Sequence, residues 1–107
     1  MSLIKITDLA DVPEEGTGIT LAFDHPYTEM PYELGLFCIE GKYYAITNKC
    51  IICEGRLAAG KLIGLFASCS KRECPWNVKK GYCKFDKTTI LPTYKVLPQE
   101  DGLYINI

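Results

Sequence analysis

Apolar and polar residues alternate with a period of two in several short stretches of this chain. Leu3-Ile4-Lys5-Ile6-Thr7 and Gly18-Ile19-Thr20-Leu21-Ala22-Phe23 have the pattern of half-buried strands. Between them, Asp8 to Gly16 is a polar turn with room for one helical turn. His25-Pro26 and Met30-Pro31 mark a loop, after which Leu34 to Ile39 and Tyr43 to Ile46 flank Glu40-Gly41-Lys42. A glycine at that point accepts the positive φ of a tight turn, so the pair predicts a β-hairpin. Thr89 to Leu97 and Leu103 to Ile107 bracket Glu100-Asp101-Gly102 and predict a second one. No stretch has the 3.6-residue period of a long amphipathic helix, so the expected class is all-β.

The alternation fails between about residues 48 and 86, and five of the six cysteines lie there. A long irregular segment needs something other than ladder hydrogen bonds to hold its backbone, which points to function. Cys50-Ile51-Ile52-Cys53-Glu54-Gly55 spaces two sulfurs so that one tight turn can bring both to the same ion. Cys69, Cys74 and Cys83 follow and supply further sulfurs from a second loop. Cys38 differs: it lies in an alternating strand between Phe37 and Ile39 and is expected to act as a small core residue. A catalytic cysteine requires a base, and the single histidine, His25, precedes Pro26 far along the chain from the cysteines. His25 is expected at the surface, and no catalysis is assigned.

Composition narrows the classes further. A chain of 107 residues, 48% apolar and 23% charged, suits a single domain over residues 1–107 with a metal-binding insert at about 48–86. A net charge of −1 leaves no excess of cations for a nucleic-acid backbone. Met1 to Leu9 contains Lys5 and Asp8 and has no continuous apolar run, which predicts a cytoplasmic protein without a membrane partner. Cytosolic thiols stay reduced, so clustered cysteines there point to metal before disulfides.

Several stretches resemble the Rieske ferredoxin family. Asp8-Leu9-Ala10-Asp11-Val12-Pro13 is similar to its opening, and Leu36 to Cys50 to its strand, turn, strand and first cluster loop. Leu57 to Gly64 resembles the short strands between its loops, and Cys74-Pro75-Trp76 the start of the second loop. Phe85-Asp86 resembles the end of that loop, and Leu91-Pro92-Thr93-Tyr94 with Glu100 to Tyr104 the terminal hairpin. The resemblance implies a small β-sandwich or barrel carrying a cysteine-rich metal-binding subdomain of two loops. It departs at the ligands, because the family's loops carry Cys-x-His and Cys-x-x-His. Here Ile52 and Asn77 stand at the histidine positions, and extra cysteines lie in both loops. Counting forward from Gly64 places Cys69 at the family's second cysteine, whereas Cys74-Pro75-Trp76 places Cys74 there.

Loss of both imidazoles with gain of thiols in the same loops implies ligand exchange. The expected site is an iron–sulfur cluster, [2Fe–2S] first, held by Cys50, Cys53, Cys74 and Cys83 with Cys69 in reserve. Four of the five would bind, in an electron carrier that catalyses no bond-making and serves a reductase or oxygenase. A mononuclear tetra-cysteine site, zinc or rubredoxin-like iron, stays open. So does a cofactor-free interaction subunit of a reductase, the role ascribed to some Rieske-like small subunits of nitrite reductases. Trp76, Tyr82 and Phe85 are expected to pack around the second loop or to shield a cluster. Lys71-Arg72 and Lys79-Lys80 are either a solvated face or a contact for an acidic redox partner. Cys50→Ser and Cys53→Ser should each lose bound metal while Cys38→Ser keeps it, read as metal per chain after gel filtration. Full retention in both loop variants would remove the site.

Overall fold

The computed structural model describes residues 3–25, 27–50, 55–69 and 74–106. Ten strands follow in the order β1 (Leu3–Asp8), β2 (Gly18–Asp24), β3 (Pro31–Ile39), β4 (Lys42–Thr47), β5 (Leu62–Ile63), β6 (Phe66–Ser68), β7 (Pro75–Asn77), β8 (Thr93–Tyr94), β9 (Val96–Gln99) and β10 (Gly102–Asn106). Single 3-10 turns occupy Leu9–Asp11 and Leu57–Ala59. The strands form three antiparallel sheets, ordered β1-β10-β9, β2-β3-β4-β8 and β5-β6-β7. Among the described residues no helix is long and apolar enough to cross a membrane.

The β2-β3-β4-β8 sheet is the middle layer, and alternation along its strands sends side chains to two cores. Leu34 and Leu36 of β3 with Ala45 of β4 meet Leu103 and Ile105 of β10, joined by Ile6, Ile19, Leu21 and Val96. On the opposite face Phe37 and Ile46 meet Leu57, Ala67, Trp76, Val78 and Leu91. Residues 34–38 of β3 are therefore all buried, and their apolar run reflects a strand covered on both faces. The Phe37 ring lies across Gly18 and Gly35, where an added Cβ would come within 2.4 and 2.8 Å of it, so those glycines let the ring lie flat on the sheet.

Both predicted hairpins are present, and the first shows how its turn is held. Glu40 and Gly41 have φ of 52° and 76°, the left-handed pair of a two-residue turn. A non-glycine residue there is strained, but the Glu15 carboxylate accepts the Glu40 and Gly41 N–H groups at 2.7 and 2.8 Å.

Three expectations change. β3 starts at Pro31 instead of Leu34, because Pro31 opens the strand opposite Asp24, where a missing N–H breaks no internal rung. The expected run from Thr89 to Leu97 is divided: Thr93–Tyr94 pairs with β4, and after Lys95 the chain crosses to pair with β10. His25, expected at the surface, is buried, with its Nδ1 accepting the N–H groups of Tyr27 and Thr28 at 3.1 and 3.3 Å. Pro26, the other half of that loop signal, lies outside the described residues.

The two cores differ in their dependence on the cysteines. Cys50, Cys69 and Cys83 belong to the core around Trp76, and the core around Leu103 contains no cysteine among its described members. Stripping metal should therefore remove amide protection from Ala67, Trp76 and Val78 while Leu103 and Ile105 keep theirs, measured by hydrogen exchange. Equal loss in both cores would contradict this division.

Candidate metal centre

Two loops carry the cysteines, and each emerges from a short ladder that aims it. The first leaves β4 at Asn48, whose main-chain N–H donates to the Glu33 carbonyl at 3.0 Å and whose carbonyl accepts the Leu57 N–H at 2.8 Å. Lys49 bridges to Arg56 in the antiparallel sense, and the Cys50 N–H donates to the Gly55 carbonyl at 2.8 Å. The two hydrogen bonds on either side of the Lys49–Arg56 bridge close the base of the loop and leave Cys50 fully buried on its inner side.

The Asn48 side chain is the bolt of this base. It is fully buried; its Nδ2 donates to Glu33 Oε2 at 3.0 Å and to Thr20 Oγ1 at 3.2 Å, and its Oδ1 accepts the Ala58 N–H at 2.9 Å. Arg56 Nε reaches the same Glu33 oxygen at 2.7 Å, an exposed pair that adds little by itself but orients the carboxylate. An apolar side chain at 48 would leave the partly buried Ala58 N–H without this partner.

The second loop is the tip of the β6–β7 hairpin. Phe66 faces Asn77, Ala67 faces Trp76 and Ser68 faces Pro75, so Cys69 and Cys74 are the first residues beyond the ladder on either side. Gly60 allows the turn at Leu57–Ala59 to press against this strand end, since a Cβ there would fall 1.7 Å from the Ser68 carbonyl oxygen. The two loop bases are thereby packed together.

The consequence is that Cys50, Cys69 and Cys74 converge, with their sulfurs all within 4.8 Å of one another. Cys50 and Cys69 are buried and Cys74 is half-buried. Trp76, fully buried beneath them, donates its indole N–H to Cys50 Sγ at 3.3 Å. Thiolates at such spacing repel one another strongly unless a cation lies between them, and soft sulfur donors select zinc, copper(I) or iron–sulfur centres. An N–H aimed at a ligand sulfur is the outer support that tunes such centres. The donor set thus fits a thiolate-bound metal.

The remaining candidate residues have other surroundings. Cys53, three residues beyond Cys50, and Ile52 lie outside the described residues, as do Lys71 and Arg72. Cys83 is buried in the same core, bridging back to Trp76 across an antiparallel pair, and is not among the three sulfurs that converge. Cys38 is buried in β3, where loss of water and the nearby Glu15 carboxylate push its thiol pKa up, which keeps it protonated and unreactive. Asn77 supports the backbone: its Oδ1 accepts the Lys79 and Lys80 N–H groups at 3.0 and 2.8 Å and shapes the turn that ends β7. Tyr82 is half-buried, but Phe85, expected to pack, is 74% exposed.

Asn48 and Gly60 were not legible as positioning residues. Phe66-Ala67-Ser68 and Pro75-Trp76-Asn77 share no pattern that marks the hairpin bringing Cys69 and Cys74 together.

The comparisons with solved structures agree with this layout over nearly the whole chain. The Sphingomonas yanoikuyae B1 ferredoxin superposes with a TM-score of 0.81 at 19% identity, covering 99% of each chain. The fold is Rieske-like. The ferredoxin of carbazole 1,9a-dioxygenase from Nocardioides aromaticivorans IC177 matches this Rieske-like chain with a TM-score of 0.78 at 18% identity, over 98% of this chain and 97% of that one. The nitrite reductase [NAD(P)H] small subunit from Erwinia carotovora gives 0.73 at 17% identity, over 98% and 81%. No protein-family model and no curated protein matches the sequence.

Asn48→Ala should lower stability by about 2–4 kcal/mol, because one substitution strands the Ala58 N–H and frees both Glu33 and Thr20. Urea unfolding of the metal-free protein measures this without interference from ligand binding; a change below about 0.5 kcal/mol would show that the loop base is held by other means.

Proposed function

We propose that this Rieske-like chain is a small one-electron carrier whose redox centre is an iron–sulfur cluster of the [2Fe–2S] type held by four thiolates. Cys50 and Cys53 supply the ligands of the first loop, and Cys69 and Cys74 those of the second. Cys69 takes the place that loop position alone assigned to Cys83. The observation that carries this reading is that thiols of both loops meet in a Rieske-like fold whose similar solved structures include ferredoxins. Cys53 completes the set by its spacing from Cys50. The cluster, when bound, supplies reversible one-electron chemistry.

The rest follows from the chain's own residues. Asn48, Glu33 and the β6–β7 ladder hold the thiols in place, so electron gain requires little movement. Trp76 removes water from the inner side and offers its N–H to Cys50 Sγ, which stabilises extra negative charge on that sulfur. No residue in either loop is a histidine, so no imidazole there can exchange a proton with electron transfer. The ferredoxin and reductase-subunit names of the similar structures support a protein partner of the reductase or oxygenase class. A reducing, cytoplasmic setting would keep the thiols available.

One observation favours a second reading. Sulfurs on a single tetrahedral ion with bonds of about 2.3 Å are about 3.8 Å apart, inside the 4.8 Å limit that holds for all three cysteines here, whereas sulfurs on different irons of a cluster lie further apart. A mononuclear zinc or iron tetrathiolate is thus the alternative.

Anaerobic purification with iron, zinc and acid-labile sulfide quantitation separates the two. The cluster predicts iron and sulfide at about two each per chain. A single metal without sulfide supports the mononuclear site, and a colourless chain with neither overturns both. If the cluster is present, its potential should lie nearer roughly −400 mV than the −150 to +300 mV of histidine-ligated centres, and should not change with pH between about 6 and 9. Redox titration followed by electron paramagnetic resonance checks this; a positive potential falling steadily with pH would overturn all-thiolate ligation.

A further inference from the structure

The near-zero net charge hides a strong division. Between Lys49 and Lys87 lie nine basic and three acidic residues, a net of +6, whereas the rest of the chain holds three basic and ten acidic residues, a net of −7. The positive part is the one that carries the cysteine loops. A dipole of this kind turns an approaching acidic protein toward the cysteine end and away from the remainder.

That end also has a built surface. A groove of about 270 Å³ runs over the β5-β6-β7 sheet, lined by Lys61, Ile63, Phe66, Pro75, Lys84 and Phe85. Ile63 is 70% and Phe85 74% exposed, so two large apolar side chains stand open to water with lysines beside them. Lys84 Nζ lies 5.7 Å from the centre of the Phe66 ring, which holds its charge over the groove. Ser68 and Pro75 also line it and are the chain neighbours of Cys69 and Cys74, so a molecule seated there rests beside two of the converging thiols.

We propose that this groove is the docking surface for an acidic protein partner, which places an apolar side chain between Ile63 and Phe85 and carboxylates on Lys61 and Lys84. The proposal rests on the reading that the cysteine site exchanges electrons, and it names where that exchange partner binds. An apolar patch rimmed by one sign of charge is what such contacts use: burial supplies affinity, and the rim supplies orientation and salt dependence. A nucleic-acid duplex would use the same lysines but leave Ile63 and Phe85 unburied, and a single strand could stack a base on Phe85 but not fill the aliphatic side at Ile63, so the apolar centre favours protein.

The test uses the purified full chain and a fluorescein-labelled synthetic peptide with one leucine between two blocks of three glutamates, read by anisotropy at low salt. Wild type should bind it saturably and lose at least tenfold in affinity between 50 and 500 mM salt. Lys61→Glu with Lys84→Glu, and separately Ile63→Ser with Phe85→Ser, should each weaken binding at least tenfold. Lys42→Glu with Lys95→Glu makes the same change in net charge away from the groove and should weaken it less than twofold. Equal loss in both lysine pairs, no binding by wild type, or tighter binding of a labelled single-stranded oligonucleotide would overturn the proposal. Metal per chain is measured on every sample. Binding by a chain that never holds metal would sustain the groove and overturn electron transfer, whereas metal without peptide binding would overturn the groove alone.

Discussion

The structure depends on one strand being buried on both faces. Residues 34–38 of β3 send Leu34 and Leu36 into the core shared with β10 and Phe37 into the core shared with Trp76. The middle sheet therefore cannot shift register without emptying both cores, since a one-residue slip exchanges every side chain between faces. That rigidity is what gives the cysteine loops a fixed platform. The first loop leaves from β4, which pairs with β3 along its length, and its base is tied to Glu33 of β3 through Asn48 and Arg56.

The cysteine site is thus an extension of the core. Cys50, Cys69 and Cys83 are counted among the buried residues around Trp76, and Trp76 itself both fills that core and donates to Cys50 Sγ. Packing and the placement of the thiols are the same event here. The two loops are short-tethered: one by two main-chain hydrogen bonds flanking the Lys49–Arg56 bridge, the other by a three-residue ladder ending at Ser68 and Pro75. As neutral thiols these groups could pack as core sulfur, but as thiolates so close together they would need a cation between them, so the geometry makes this a candidate metal centre.

Charge adds a second level of organisation that packing does not require. Lysines gather on the part bearing the cysteines and carboxylates on the other sheets. Since exposed charges contribute little to stability, the fold does not need this separation, and it accords with the docking role proposed for the groove. The replacement of an expected imidazole by Asn77 has a comparable meaning. Its Oδ1 accepts the Lys79 and Lys80 N–H groups, so in this structure the residue supports the backbone of the turn.

By itself the sequence determined the class, both hairpins, the inert role of Cys38 and the interest of the segment from 48 to 86, because each rests on local signals: alternation, turn glycines and cysteine spacing. The family resemblance, read from motifs along the chain, anticipated a fold that superposition then showed. Only tertiary structure decided which sulfurs meet. Cys69 and Cys74 are brought together by hairpin pairing between Phe66–Ser68 and Pro75–Asn77, a contact between segments that loop counting alone does not register. It likewise decided that His25 is buried and Phe85 exposed, since burial depends on which sheets and loops cover a residue and not on its neighbours in sequence. Asn48 shows the same reason most plainly: its partners Thr20, Glu33 and Ala58 come from three separate segments, and only the packed sheet brings them within reach of one amide.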